Sequence, residues 1–242
     1  MKPIEYIGAK PVKKKRRSTF GGWLLVIFAI SLSGVFLRPL IPFLKAQQEL
    51  TSNANVLEAI ELLESDGDFG SRLAAAALKR TQSKVTYDAA YYKIDFPNGD
   101  VPADKGVCTD VVIRSYRSLE IDLQELVHND LKANFLAYPQ LWKAKGPDSN
   151  IDHRRVPNLQ RFFSRNGQAL AMTTEASDYS VGDIVAWRLV NGQTHTGIVV
   201  PGPGARKTEK WIVHNIGRGP AWEDVLFDYK IIGHYRFEKS AN

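Results

Sequence analysis

The stretch GDIVAWRLVNGQTHTGIVV, residues 182–200, decides the fold. Two runs rich in valine and isoleucine flank Asn191 and Gly192, a dipeptide that strongly favours a tight turn between antiparallel strands. Two more runs of the same kind follow along the chain, KWIVHNIG at 210–217 and IIGHYRF at 231–237. Four such runs joined by short connections predict an antiparallel β-meander.

The chain before this hairpin has helical patterns. Apolar residues recur there at helical spacing, and Pro157 suits the first turn of a helix. The predicted helices cover 53–64, 72–82, a segment that begins near Cys108, 123–136 and 157–167. Helices followed by a meander predict an α+β domain over residues 51–242, with its core at about 70–238.

The first 17 residues carry the charge of the protein. They contain seven basic side chains and one acidic side chain, which accounts for the whole formal net charge of +6. The remainder of the chain is neutral. Bulk charge therefore gives no support to a nucleic-acid-binding face, and no nucleic acid is expected as a partner.

The next segment, residues 18–38, is apolar and has no charge before Arg38 closes it. A helix of about 20 such residues spans the roughly 30 Å apolar core of a bilayer. The run KKKRR at 13–17 places the N-terminus in the cytoplasm. The sequence thus predicts a single-pass anchor in the bacterial inner membrane, a linker at 39–50 and a periplasmic domain. A cleaved signal peptide is the alternative, and it leads to the same compartment.

Cys108 is the only cysteine of the chain, so it cannot form an internal disulfide. Gly106 precedes it, and a helical pattern starts at it. Helix N-termini expose unpaired N–H groups that stabilise a thiolate. The position therefore favours a reactive cysteine with a lowered pKa, and a small buried apolar residue is the alternative.

His195 and His214 lie on neighbouring predicted strands, which can bring both rings to one end of a sheet. A cysteine nucleophile needs a base within hydrogen-bond reach and a third group that orients the base. Asn215 points to the opposite face from His214 if the strand is regular, so only one of the two can be that third group. The cysteine and these histidines, with His234, could instead bind zinc. No tight ligand spacing is present, and no metal or cofactor is expected.

The order of these elements resembles that of the papain-like NlpC-type peptidoglycan peptidases: a cysteine at a helix start, then GDIVAW, HTGIVV and IVHN. That family usually has Asp-Cys-Ser-Gly at its nucleophile, whereas this chain has Val107-Cys108-Thr109-Asp110. Longer motifs between about residues 70 and 238 resemble the YijF-like family of bacterial envelope proteins, which is linked to the NlpC-type superfamily. These motifs are YDAAYYKIDFPNGDVPADKGVCTDVVIRSYRSLEIDLQ, NIDHRRVPNLQRFF and VHNIGRGPAWEDVLFDYKIIGHYRF.

The resemblance implies a papain-like fold with a cysteine-based active site. In it, Cys108 would be the nucleophile and His195 the general base. His214 would orient His195, with Asn215 as the substitute. Tyr87 would assist, as a tyrosine upstream of the nucleophile does in NlpC-type enzymes.

The segment NIDHRR, residues 150–155, concentrates polar groups. Arginine binds carboxylates in a bidentate way, and wall peptides carry free carboxylates. The substrate-binding candidates are Asp152, His153, Arg154 and Arg155. A structural network is the alternative, in which Asp152 holds an arginine, and Asp110 could pair with one of the two arginines.

These residues predict a membrane-anchored extracytoplasmic cysteine hydrolase that cleaves a peptide or amide bond of peptidoglycan through an acyl-enzyme. Its partners would be a cell-wall peptide and, through the N-terminal helix, the inner membrane, while the oligomeric state stays open. One alternative is a non-catalytic module that binds the cell wall or a protein. The other is an acyltransferase or transpeptidase on the same triad.

Overall fold

The structure is a computed structural model that describes the backbone of residues 40–203 and 206–239, and the side chains of 53–203 and 208–239. The predicted basic tail and membrane anchor lie outside the described residues. Within the described part of the chain, no helix combines the length and the apolar character needed to cross a membrane.

The described part of the chain contains five α-helices, all of which precede the strands of the large sheet. They are α1 (Leu40–Asp66), α2 (Phe69–Arg80), α3 (Cys108–Arg117), α4 (Leu123–Ala133) and α5 (Val156–Asn166). Helix α1 covers residues 40–50 of the segment 39–50, which the sequence predicts to be a linker. Pro42 is the third residue of α1, where its missing N–H removes no hydrogen bond within the helix.

The described strands form two sheets. Strands β1 (Thr86–Tyr87) and β2 (Lys105–Gly106) pair in parallel just before α3. The large sheet contains β3 (Gln168–Ala169), β4 (Ile184–Arg188), β5 (Thr194–Gly202), β6 (Arg206–His214), β7 (Ala221–Glu223) and β8 (Lys230–Arg236). Its order is β3-β8-β4-β5-β6-β7, and each neighbouring pair is antiparallel. The predicted α+β arrangement, helices followed by an antiparallel sheet, is confirmed. The predicted meander is wrong for its fourth run, because β8 pairs with β4 and not with β6.

The predicted hairpin joins β4 to β5. Gly192 has a φ of 83°, a left-handed conformation that glycine adopts without strain. The N–H of Leu189 donates to the carbonyl oxygen of Gln193 at 2.9 Å and closes the loop.

The register of β5 against β6 brings the two candidate histidines together. Gly197 lies opposite His214, and His195 is two residues before Gly197, so both rings project from the same face. A Cβ atom at Gly197 would lie 2.6 Å from Cγ2 of Ile212 and 3.1 Å from Cβ of His214. The absence of a side chain at Gly197 therefore allows the close approach of β6 at this point.

Both faces of the large sheet are buried. On one face, Ile198 and Val200 of β5 pack against the helices in the main core. On the other face, Val199 packs with Trp187 and Tyr179 in a smaller cluster. Successive residues of β5 thus alternate between two apolar surroundings. The polar side chains at the start of β5 are consequently carried by a strand that is fixed on both faces.

Candidate active site

Cys108 is the first residue of α3, and Val107 caps the helix in an extended conformation. The carboxylate of Asp110 accepts the N–H of Val107 at 2.7 Å, which fixes the start of the helix. The Cys108 side chain is 5% exposed and packs against apolar side chains of α5 and β4. Its sulfur also receives the main-chain N–H of Thr196.

The Cys108 thiol lies beside the main chain of Thr196, the residue that follows His195. The ladder between β5 and β6 begins with Gly197 opposite His214, so Thr196 lies just beyond it. The fold therefore brings the N-terminus of α3 to the first residues of β5, where the candidate base is located.

The pKa of the Cys108 thiol is raised from 9.0 to about 11 because burial disfavours the thiolate. The main-chain N–H groups of Thr196, Thr109 and Cys108 itself act in the opposite direction, and the carboxylate of Asp110 adds to the increase. The prediction of a lowered pKa is therefore wrong. The helix N-terminus is present, but loss of water around the sulfur outweighs it.

Three side chains form a hydrogen-bonded chain from β5 to the edge of the sheet. Nε2 of His195 lies 2.8 Å from Nδ1 of His214, and Nε2 of His214 lies 2.7 Å from Oε2 of Glu223. Both rings are buried, whereas the Glu223 side chain is 48% exposed. The chain of hydrogen bonds thus ends on a carboxylate at the surface.

The direction of this chain follows from its last member. A carboxylate can only accept, so Nε2 of His214 carries a proton, and Nδ1 of a neutral His214 is then an acceptor. Nε2 of His195 must donate to that acceptor. For a neutral His195 this leaves a lone pair on Nδ1, which is the nitrogen that a base needs.

His195 is neutral in the resting site. Burial, with a smaller contribution from His214, lowers its pKa from 6.5 to about 3. Among the hydrogen bonds of the described residues, the His195 ring takes part through Nε2 alone, and none joins it to the Cys108 sulfur. Catalytic hydrogen bonds are often long in free enzymes and shorten when substrate binds. The cysteine and the histidine are therefore arranged as two neutral groups and not as an ion pair.

Glu223 was missed by the sequence reasoning. It belongs to β7, which is only three residues long and pairs with the end of β6, where Ala221 lies opposite His214. Glu223 is two residues further along β7, so its side chain lies on the same face as the His214 ring. The run PAWED at 220–224 has no strand pattern of its own, and only the pairing with β6 could have revealed this residue.

Asn215, the predicted substitute for His214, has other partners. Its side-chain N–H donates to the Gly106 carbonyl at 3.3 Å, and its oxygen accepts the N–H groups of Gly217 and Gly219. Asn215 therefore ties the loop after β6 to β2. It is His214, and not Asn215, that contacts the His195 ring.

Tyr87 lies beside the site. Tyr87 is the last residue of β1 and pairs with Gly106, two residues before Cys108. Tyr87 and His195 both line a cleft of about 710 Å³. Burial and the nearby Cys108 raise the pKa of the Tyr87 phenol, so its hydroxyl is protonated at neutral pH and can donate a hydrogen bond.

Asp110 and Arg154 form a buried ion pair. Nε and Nη2 of Arg154 donate to the two carboxylate oxygens of Asp110 at 2.9 and 3.0 Å. The other Arg154 contacts are to the carbonyl oxygens of Ala90 and Asp88. All three guanidinium nitrogens are thus engaged and the side chain is 2% exposed, as the structural-network alternative predicts. The pair fixes α3 to the preceding loop.

The rest of the segment NIDHRR is also structural. Asp152 is buried and accepts from Arg155 at 2.9 Å, as the network alternative predicts. The guanidinium of Arg155 lies 4.1 Å from the ring centre of Trp142. His153 is buried, and burial together with the charge of Arg154 lowers its pKa to about 4. None of these three lines the cleft that contains His195.

His234 lies in a separate cluster. Its Nε2 is 2.8 Å from Asp183, which also accepts from Nε of Arg236 at 2.7 Å. The described residues contain no group of three or more histidine, cysteine or acidic side chains that could hold a metal ion. His234 thus belongs to an ion-pair cluster that the candidate active site does not use.

The fold and the site define a mixed α+β domain with a buried cysteine, a histidine pair and a carboxylate at the side of a cleft. A family model described as "Domain of unknown function (DUF1287)" matches residues 74–237. The chain is also 52% identical over 165 residues to "Uncharacterized protein YijF" of Escherichia coli (strain K12), an alignment that covers 68% of this chain and 80% of that protein. The chain therefore belongs to the DUF1287 family, and the predicted membership of a YijF-like family is confirmed. No solved structure matches the chain.

Proposed function

We propose that this protein is a cysteine hydrolase that cleaves an amide bond through an acyl-enzyme at Cys108. The observation that carries the proposal is the chain His195–His214–Glu223, which leaves Nδ1 of His195 without a partner among the described residues. The His195 ring also lines the cleft, and the Cys108 sulfur accepts the main-chain N–H of Thr196, the residue that follows His195. In the proposed mechanism, Cys108 is the nucleophile, His195 the base and His214 the group that orients the base.

The proposed reaction starts when the Cys108 sulfur attacks the amide carbonyl carbon and its proton passes to Nδ1 of His195. The carbonyl electrons move to oxygen and form a tetrahedral oxyanion. The imidazolium then gives the proton to the amide nitrogen, the C–N bond breaks and the amine leaves. Water that loses a proton to His195 attacks the resulting thioester, which releases the carboxylic acid and restores the thiol.

The pKa values oppose an ion pair in the resting site, so the proposed proton transfer has to occur in step with the attack. A thiol with a pKa of about 11 and an imidazole with a pKa of about 3 are both neutral at pH 7. Transfer creates two opposite charges close together, and their attraction offsets part of the cost of burying each one. The carboxylate of Glu223, linked to His195 through the His214 ring, stabilises the positive charge that develops on His195.

Two donors could stabilise the oxyanion. The N–H of Cys108 is at the start of α3, where no intrahelical acceptor exists. The second donor is the Tyr87 hydroxyl. Tyr87 lines the cleft with His195, and it is near enough to Cys108 for the thiol to raise the pKa of the phenol. Removing one such donor typically costs 10²- to 10³-fold in rate, roughly 3–4 kcal/mol.

The proposed substrate is peptidoglycan. In this proposal, the apolar segment 18–38 anchors the protein in the membrane and holds its domain outside the cytoplasm. The resemblance to NlpC-type papain-like peptidases supports this substrate class. The neutral charge of the chain after residue 17 suits a polymer that is not strongly charged overall.

The test uses the full-length protein with purified sacculi and with defined muropeptides, analysed by mass spectrometry. We expect the wild type to release fragments that have gained one water per bond cleaved, and Cys108→Ala to release none while it remains folded and still binds sacculi. An added amine acceptor checks for acyl transfer, which would give amine adducts in place of free carboxyl termini. Equal release of fragments by Cys108→Ala would contradict the proposal.

A non-catalytic binding module is the second candidate, and the burial of the thiol favours it. A structural cysteine is inert when it is sealed in apolar packing. In that case Cys108→Ala should bind sacculi with the affinity of the wild type, and neither protein should cleave them. The two candidates are therefore separated by turnover and not by binding.

A further inference from the structure

The cleft beside His195 has a lining without formally charged side chains. None of the residues that line it is aspartate, glutamate, lysine or arginine. Arg154, which the sequence predicts to bind substrate carboxylates, has its guanidinium paired with Asp110. A charged group placed in this cleft would lose water without gaining a counter-ion, which is unfavourable.

The mouth of the cleft is apolar. Val190 of the β4–β5 hairpin is 97% exposed, and Ile216 in the loop after β6 is 41% exposed. Tyr87 approaches from β1 and is 42% exposed. Three apolar side chains from separate parts of the chain thus converge on one opening, as is typical of a binding surface.

The polar groups of the lining are neutral amides and hydroxyls. Asn191 and Gln193 lie on the hairpin and are hydrogen-bonded to each other, and Thr194 begins β5. Such groups pair with the N–H and C=O groups of a peptide without requiring a charge. A cleft of about 710 Å³ falls within the usual range for binding sites of drug-sized ligands. It suits a short segment better than a long lipid chain.

Cys108 itself does not line this cleft, but Tyr87 does, and Tyr87 pairs with Gly106, two residues before Cys108. We propose that the cleft binds an uncharged peptide segment with small apolar side chains next to the bond that is cleaved. This inference rests on the proposed function and narrows its substrate class. A segment that carries a free carboxylate or amine at this position would be excluded, because the described lining offers neither a cation nor an anion to it.

The test measures how fast three chloromethyl ketones alkylate Cys108 in the full-length protein. The probes share one short backbone and differ only in the side chain nearest the reactive group, which is that of valine, glutamate or lysine. In each case the sulfur displaces chloride and forms a thioether, so the adduct is counted by intact mass. We expect the valine probe to react at least ten times faster than either charged probe, with iodoacetamide as the control for intrinsic thiol reactivity.

Variants of the rim sharpen the test. Val190→Glu should slow the valine probe and speed the lysine probe, whereas Val190→Lys should speed the glutamate probe. Leu136→Glu is the matched control, since Leu136 is 90% exposed and does not line the cleft. Leu136→Glu should leave the rate with every probe unchanged, and each rate is divided by the rate of the same protein with iodoacetamide.

The outcomes are distinguishable. Equal or faster alkylation by a charged probe, or faster alkylation by a long-chain acyl chloromethyl ketone, would overturn the inference while leaving Cys108 as the nucleophile. If no probe alkylates Cys108 faster than iodoacetamide does, the proposed function itself is overturned, and this inference with it.

Discussion

Two histidine–carboxylate pairs lie in the same sheet, and they differ in what each leaves free. His234 has an acceptor at both ring nitrogens, the Ala171 carbonyl at 2.9 Å and Asp183 at 2.8 Å, and its ring stacks on Tyr179 with centres 4.2 Å apart. His195 uses one nitrogen only, and its ring lines a cleft.

The carboxylates differ in the same way. Asp183 is fully buried and accepts from His234, from Arg236 and from the N–H of Ser180. Glu223 is half exposed, and His214 is its hydrogen-bond partner. A saturated and buried cluster contributes to stability, whereas a chain with one unused nitrogen and one solvated end can move a proton. The two regions therefore teach that burial of a histidine does not by itself indicate its role.

The largest expected effect separates the two histidines by activity. His195→Gln should lower turnover of muropeptides by about 10²- to 10⁴-fold, because the general base is lost. His234→Gln should leave the turnover of the folded fraction close to that of the wild type. Product release by mass spectrometry, normalised to the folded fraction, measures both. A His234→Gln variant as inactive as His195→Gln would break the comparison.

The second effect separates the two carboxylates by stability. Asp183→Ala leaves His234 and Arg236 without their partner and should lower the free energy of unfolding by about 3–5 kcal/mol. Glu223→Ala removes an exposed partner and should cost about 1 kcal/mol or less. Urea unfolding of the full-length protein measures the difference. Similar losses in the two variants would show that the Glu223 chain is structural as well.

The third effect concerns Glu223 as a positioning residue. A hydrogen bond to a charged group contributes about 1.5–3 kcal/mol, which corresponds to roughly 10- to 100-fold in rate. Because Glu223 is half exposed, we expect Glu223→Ala near the lower end, with kcat reduced and KM unchanged. Glu223→Gln keeps an acceptor for His214 and should recover part of the loss. An unchanged kcat in Glu223→Ala would remove this role.

The smallest effect is the acid dependence of stability. The folded-state pKa of His195 is lowered from 6.5 to about 3, so its contribution is complete above pH 6.5 and is lost as the pH falls toward 3. As the pH falls from 6 to 4, the free energy of unfolding of His195→Gln should therefore decrease by about 1 kcal/mol less per pH unit than that of the wild type. His153, with a pKa of about 4, titrates in the same window and is present in both proteins. Parallel stability curves would contradict a buried neutral His195.

Much of the fold could be predicted from the sequence because its signals are local. The Asn191-Gly192 turn, the alternating strands around it and the helix that begins at Cys108 each depend on a few neighbouring residues. The segment 39–50 was interpreted as a linker on the basis of its prolines, whereas Pro42 is accommodated near the start of α1.

The site was less predictable because it depends on register and burial. The contact of His214 with His195 requires the offset that Gly197 sets, and Glu223 requires the pairing of a three-residue strand. The burial of Arg154 and the raised pKa of the thiol could not be predicted for one reason. A sequence shows which charges and helix ends are available, but not how much water the folded chain removes from around them.

The most direct test of the account is acylation of Cys108 by an activated ester of an uncharged N-acyl amino acid, followed by intact mass. The account predicts a transient acyl adduct on Cys108 in the wild type, no adduct in Cys108→Ala, and adduct formation at least 100-fold slower in His195→Gln. Acylation of His195→Gln at the rate of the wild type would show that the thiol and the imidazole do not act together.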